Sequence, residues 1–143
     1  MNRLHDVAQL IVSCWTMAGK DKDDDNLIPT SHSMLDRALK DLADQKALPV
    51  WALNEIHFVD SRIGLQCIEL PMILDWAQKA ELTSAPNPSY QITQVQIRKP
   101  TAKKLLWRLG VSETEASKWG ETIRATMERL KTQGMAEPAE LTG

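Results

Sequence analysis

Five basic residues lie within eleven positions of the chain: Arg98, Lys99, Lys103, Lys104 and Arg108. No acidic residue lies between Leu82 and Ser112, so this basic island carries +5 in a chain of net charge −2, which leaves −7 elsewhere. Ammonium and guanidinium groups bind phosphate oxygens, and clusters of them mark nucleic-acid-binding proteins. The basic island therefore predicts a local nucleic-acid surface. The alternative is a solvated face that pairs with the acidic segment 20–26 of the same or another subunit.

A helix is predicted to position the basic island. Four apolar residues follow Pro100 at the spacing of one buried helical face: Ala102, Leu105, Leu106 and Leu109. Pro100 suits the first turn of a helix, and Gly110 suits its end, because glycine adopts a left-handed backbone at little cost. On such a helix Lys103, Lys104 and Arg108 lie away from the apolar face and could contact one phosphate backbone.

A second amphipathic helix is predicted after Gly110. Ser112 and Glu115 have the spacing of a capping box, in which the hydroxyl and the carboxylate each accept a hydrogen bond from an unpaired amide. The apolar residues that follow share one face: Ala116, Trp119, Ile123, Met127 and Leu130. Gly134 is expected to end this helix.

The junction of the two helices, Leu-Gly-Val-Ser-x-x-x-Ala-x-x-Trp, resembles the centre of the helix-turn-helix of bacterial repressors over residues 102–120. The resemblance implies that Gly110 makes the turn and that Val111 and Ala116 pack the helices together. It departs from that family at Leu106, where a small residue is usual, and at two acids, Glu113 and Glu115. The side chains expected to face the nucleic-acid groove are Ser112, Thr114, Ser117 and Lys118.

The chain has five tryptophans but only one phenylalanine and one tyrosine. Trp15, Trp76 and Trp119 lie on apolar stripes and are predicted to be core residues. Trp107 lies beside Arg108 and off the leucine face, so it could stack on a base or bind a protein partner; packing against a neighbouring element is the alternative. Trp51 is expected to cover the core.

No pattern indicates a catalytic centre. The three histidines, His5, His32 and His57, lack metal-ligand spacing, and the alternating acids at 21, 23 and 25 lack the glycine and closing glutamate of a calcium loop. His57, Asp60 and Ser61 are too close in sequence for hydrolase geometry. Glu55 and Glu69 could oppose each other on a hairpin, more in keeping with a structural pair than with an acid–base dyad. We therefore expect a non-enzymatic protein without metal or cofactor.

The order of predicted elements is ααββαβαα, which indicates an α+β, mainly helical fold with about five helices. The strands are a β-hairpin, 53–59 and 63–70, and one further short strand, 90–97. Helices followed by a hairpin resemble a winged helix, although that fold normally has three helices before its hairpin. A single domain is expected over 1–134, with a possible subdivision near 83–89 and a flexible tail over 135–143.

Length and composition exclude several classes. A chain of 143 residues that is 43% hydrophobic and 25% charged can bury one core. It has neither an apolar run long enough to cross a bilayer nor a secretory signal pattern, so a cytoplasmic protein is expected. Cys14 and Cys67 lie in apolar contexts and are expected to be buried thiols, with a disulfide as the alternative.

The preferred interpretation is a small nucleic-acid-binding protein, with DNA favoured over RNA as its partner. The alternative is a helical subunit that binds a protein partner or a second copy of itself. Such a subunit could belong to a nucleoprotein complex, using Trp107 and the apolar stripe over 116–130.

Overall fold

A computed structural model describes residues 3–20, 27–29, 34–62, 64–84 and 92–133. These residues form six helices and four strands, and the predicted α+β, mainly helical class is confirmed. The elements are α1 (Leu4–Ala18), β1 (Leu27–Pro29), α2 (Met34–Asp44), α3 (Val50–Leu53), β2 (Phe58–Ser61), β3 (Gly64–Cys67), α4 (Leu70–Lys79), β4 (Ile92–Gln94), α5 (Lys99–Leu109) and α6 (Glu113–Gln133).

Helix α1 is the central element, because α4, α5 and α6 all pack against it. Helical spacing in the sequence predicts an apolar stripe on α1, of which Ala18 is half-buried and the other members are buried: Leu4, Val7, Ala8, Ile11, Cys14 and Trp15. Leu10, Val12 and Thr16 lie off that stripe and are buried as well. A helix that neighbours cover on several sides must bury more than one narrow face. The hydroxyl of the buried Thr16 has a hydrogen-bond partner, because it donates to the Val12 carbonyl at 2.8 Å.

Helix α6 crosses α1 closely and also packs on α2. The crossing is at Gly120, where a Cβ atom would lie 2.0 Å from the Cys14 carbonyl oxygen. One turn later the Arg124 guanidinium donates to the Trp15 carbonyl, at 2.8 Å through one of its terminal nitrogens, and stacks 4.0 Å from the Trp15 ring centroid. A cation at the carboxyl end of α1 satisfies a carbonyl of its last turn and complements the helix dipole.

The hairpin is shorter than predicted. Its first strand begins at Phe58 rather than at the predicted residue 53, because Leu53 ends the short helix α3 and a brief apolar run does not distinguish helix from strand. Strands β2 and β3 pair from Phe58 with Cys67 to Ser61 with Gly64. The hairpin packs on α2, where the Asp36 carboxylate accepts a hydrogen bond from the Cys67 amide at 2.6 Å.

A second two-stranded sheet joins distant parts of the chain. Strand β4 is the predicted third strand, reduced to Ile92–Gln94, and it pairs antiparallel with β1. No local pattern predicted a strand at β1, whose partner lies more than sixty residues away. Thr83 extends this region through an isolated bridge to Val95.

Trp76 corrects one prediction about the core. Its side chain is 41% exposed, because α4 turns Leu70, Ile73 and Ala77 inward instead. Trp15 is buried as predicted, and Trp119 and Trp51 are half-buried against the core.

Three helices precede the hairpin, but the third, α3, has four residues, and the hairpin packs on α2 whereas α5 packs on α1. The winged-helix resemblance stays a prediction. The buried residues form one cluster. Predictions for Asp21, Asp23, Asp25, His32, Gly134, 85–89 and the tail 135–143 lie outside the described residues.

Candidate nucleic-acid interface

Helix α5 begins and ends as its sequence predicts. Pro100 lies in the first turn, and Gly110 has a left-handed backbone with φ of 75°. The Val111 amide donates to the Leu106 carbonyl, and the Gly110 amide donates to the Trp107 carbonyl. These two bonds form a Schellman motif, with Leu106 and Val111 as its buried apolar pair. The motif stops the helix while α1 covers its inner side.

The inner side of α5 determines which side faces solvent. Ala102 and Leu106 are fully buried, and Leu105 and Leu109 are partly buried against the core. Four residues occupy the opposite side at i, i+1, i+4 and i+5 spacing, and all are exposed: Lys103, Lys104, Trp107 and Arg108. We call these four residues the α5 face. Trp107 is 85% exposed, and no acidic residue occurs in α5.

Contacts within the described residues leave most of this positive charge available. The Lys103 ammonium lies 3.8 Å from a Glu113 carboxylate oxygen, but both side chains are more than half exposed, so solvent screens the pair. Arg108 donates to the neutral side-chain oxygen of Gln9 on α1. Lys104 has no hydrogen bond or ion pair to any described residue. Gln9 was missed by the sequence analysis, since its α1 neighbours gave no polar pattern.

The two remaining cations lie at the entrance to α5. Arg98 is exposed and occupies the N-cap position with an extended backbone, and Lys99 is half-buried at the first helical position. They lie one turn before Lys103 and so extend the positive charge toward the start of the helix. The five basic residues thus belong to one helix and its entrance.

The predicted groove residues of α6 are divided between internal and exposed roles. The Ser112 hydroxyl accepts the Glu115 amide at 3.1 Å and lies 3.1 Å from the Glu115 carboxylate, so the two side chains bond each other. The expected hydrogen bond from the Ser112 amide to the Glu115 carboxylate is absent among the described residues. Ser117 is half-buried, and its hydroxyl donates to the Met17 carbonyl at 3.4 Å. Thr114 and Lys118 are exposed.

The exposed side of α6 has a different charge from the α5 face. Glu113, Glu115 and Glu121 are exposed in its first half, against Lys118 as the one exposed cation there. Carboxylates near a helix amino terminus stabilise that end through the dipole, but they repel phosphates. Exposed positive charge is therefore concentrated on α5 rather than on α6.

No family model, curated protein or solved structure matches the chain. Val111 and Ala116, which the helix-turn-helix resemblance expects between the two helices, are 7% and 0% exposed, and the resemblance stays a prediction. However, α5 and α6 each pack more extensively on α1 than on each other. None of the described helices is long and apolar enough to cross a bilayer.

The hairpin region holds the other group of reactive side chains. Glu55 and Glu69 do not oppose each other: Glu55 accepts the Arg3 amide, and Glu69 accepts the His57 amide at 2.7 Å. The His57 ring also lies 2.7 Å from the second Glu69 oxygen. The Ser61 hydroxyl donates to the Gly64 carbonyl at 2.9 Å.

Neither cysteine provides a nucleophile near neutral pH. Both are free and buried, as predicted. Burial raises the pKa of the Cys67 thiol to about 11 and raises that of Cys14 further. A thiolate is required for nucleophilic attack, and the raised pKa values disfavour it near neutral pH. The described residues contain no group of three or more side chains that could hold a metal ion.

Proposed function

We propose that this chain is a nucleic-acid-binding protein that contacts phosphates through the α5 face. The observation that carries the proposal is the exposure of Lys103, Lys104, Trp107 and Arg108 on one side of a helix without acids. Lys103 and Lys104 lie about one helical turn from Arg108 on the same side of the helix, so several cations can contact neighbouring phosphates. Lys99 and Arg98 extend the same positive region.

The distribution of charge favours local binding over general attraction. A protein of net charge −2 repels polyanions at long range, so the contact must be made by a local surface. If about four cations replace counterions on a duplex, the logarithm of affinity falls against the logarithm of salt with a slope of about −3 to −4.

The proposal places most of the affinity on α5 rather than on α6. Ser112 caps α6 and Ser117 bonds to α1, so these hydroxyls serve the fold in the free protein. Recognition of the base sequence of a nucleic acid by Thr114 and Lys118 stays part of the helix-turn-helix hypothesis. The proposal also sets the protein in the cytoplasm, where buried thiols remain reduced.

The test is a charge reversal with a matched control. Lys103→Glu with Lys104→Glu should abolish binding to labelled single strands and duplexes in fluorescence anisotropy over about 50 to 200 mM salt. Arg37→Glu with Lys131→Glu changes the net charge equally at two exposed positions on α2 and α6. This control should bind within a factor of about two to three, because charge far from the contact is screened.

Circular dichroism verifies that both double variants remain folded. The α5 face is not the contact if Lys103→Glu with Lys104→Glu binds as the wild type does. If both double variants lose affinity equally, net charge rather than the α5 face controls binding.

An exposed Trp107 also favours a second function, that of a subunit that binds a protein, because tryptophan and arginine often anchor protein interfaces. The apolar stripe of α6 does not serve this function in the free chain, since Ala116, Ile123 and Met127 are buried in its own core. A protein partner would give weak salt dependence and no retention of nucleic acid.

A further inference from the structure

We infer that the ligand of the α5 face is single-stranded nucleic acid, with one unpaired base stacked on the Trp107 indole. This inference rests on the proposed function and names the form of the ligand. Its starting point is the exposure of Trp107. At 85%, this side chain is more exposed than any other large apolar side chain in the described residues.

The other four tryptophans each have a role within the fold. Their partners are Arg124 over Trp15 at 4.0 Å, Arg3 over Trp51 at 4.0 Å, His5 and Lys79 beside Trp76 at 5.8 and 5.6 Å, and the core against Trp119. Within the described residues, the Trp107 side chain has no hydrogen bond, ion pair or ring contact. Its indole therefore contributes little to the fold and presents an aromatic surface to a ligand.

The neighbours of Trp107 determine the chemistry of that ligand. Lys104 and Lys103 precede it by three and four residues, so their Cβ atoms lie about 5–6 Å from its own. A base stacked on the indole would bring its flanking phosphates within reach of these flexible ammonium groups and of Arg108. Aromatic stacking combined with backbone cations is how proteins bind single strands without sequence preference.

A paired duplex fits this surface less well. The faces of its bases are covered by neighbouring pairs, and unstacking them costs a few kcal/mol per step. The indole has one hydrogen-bond donor and no acceptor, so it reads base edges poorly.

Removal of the indole tests the inference. Trp107→Ala should lower the affinity for a labelled strand of about 12 nucleotides by about tenfold. It should leave the slope of affinity against salt unchanged, because stacking releases no counterions. Trp107→Phe should retain most of the affinity, since it retains an aromatic face. Oligothymidine and oligouridine distinguish DNA from RNA.

A matched control removes another exposed apolar side chain. Met72→Ala on α4, where Met72 is 50% exposed, should leave strand affinity unchanged. Circular dichroism should give native spectra for all variants, because Trp107 is not part of the core. Binding should also quench tryptophan fluorescence in the wild type, with most of that quenching lost in Trp107→Phe.

The possible failures of the two proposals differ. The single-strand inference is overturned if duplex binds more tightly than a strand of equal length. It is also overturned if Trp107→Ala binds strands as the wild type does while the Lys103, Lys104 variant does not; in both cases the proposed function stands. If the wild type binds neither strands nor duplex, both proposals fail.

Discussion

Gly120 shows how one residue can control the packing of two helices. It lies in the interior of α6, where alanine would normally be favoured over glycine by about 1 kcal/mol. A Cβ atom there would nevertheless lie 2.0 Å from the Cys14 oxygen and 2.7 Å from the Ala18 Cβ. The absence of a Cβ atom at Gly120 therefore permits the close contact between α1 and α6. By contrast, Gly110 has no atom within 4 Å of a built Cβ, so its requirement is conformational.

Alanine substitutions at these two glycines should destabilise the protein for different reasons. We expect Gly120→Ala to lower the free energy of unfolding by about 3 kcal/mol, because α1 and α6 must separate. Gly110→Ala should cost about 1–2 kcal/mol, the cost of a left-handed backbone with a Cβ atom. Urea unfolding measures both. Equal losses at the two positions would contradict a close α1–α6 crossing.

Trp107 shows what the sequence could and could not predict about the site. Its position off the leucine stripe follows from helical spacing, and so does its place among Lys103, Lys104 and Arg108. Its exposure depends on whether another element covers that side of α5. The sequence does not contain that information locally, and the same limit explains why the predicted burial of Trp76 was wrong.

Helix ends in this protein follow one rule with different residues. Helices α2, α4 and α5 all close with paired bonds to carbonyls of the last turn, and the left-handed positions are Lys46, Glu81 and Gly110. Of these three residue types, only glycine indicates from the sequence that a helix ends there. The sequence therefore predicted the α5 end closely, whereas α2 and α4 have no glycine at their left-handed positions to indicate where they end.

The hairpin is connected to α2 through a half-buried carboxylate. Asp36 accepts the Cys67 amide at 2.6 Å, and burial raises the pKa of Asp36 above its ordinary value of 3.8, although hydrogen bonds from Cys67 and from its own amide oppose the shift. The folded state therefore binds this proton more readily than the unfolded state. The contribution of Asp36 to stability must therefore fall as pH rises from the ordinary pKa of 3.8 through the raised pKa of the folded state.

Asp36→Asn should flatten the pH dependence of stability between the unfolded pKa near 3.8 and the raised folded pKa. At neutral pH the variant should be at least as stable as the wild type, since an amide oxygen still accepts the Cys67 hydrogen bond without a buried charge. Asp36→Leu should cost about 1–3 kcal/mol, because that amide is left unpaired. Denaturant unfolding across pH measures both; parallel wild-type and Asp36→Asn profiles would contradict the assignment.

The whole molecule is organised around α1, which contacts the three helices α4, α5 and α6. Cys14 lies on the side of α1 that meets α6, whereas Cys67 ends the strand β3. Exposure of Cys14 therefore requires the separation of central helices. Exposure of Cys67 requires opening of the hairpin, a small unit expected to open at lower free energy.

Thiol labelling in rising urea should modify Cys67 before Cys14. Opening of the hairpin should expose Cys67 below the main unfolding transition, whereas Cys14 should react with the global transition, because α6 covers it. Cys14→Ser and Cys67→Ser assign the two reactions by mass spectrometry. Simultaneous modification would show that the hairpin does not open independently of the helices.

The sequence by itself determined most helices, the turn at Gly110 and the common side of the α5 cations, because these depend on residues within a few turns of one another. The tertiary structure alone decided the pairing of β1 with β4, the close crossing at Gly120 and the exposure of Trp107. Each of these depends on segments distant in sequence, whose meeting is set by burial of the whole core. Local periodicity predicts which side of a helix is apolar, but only the packed chain determines which remaining side is left to solvent.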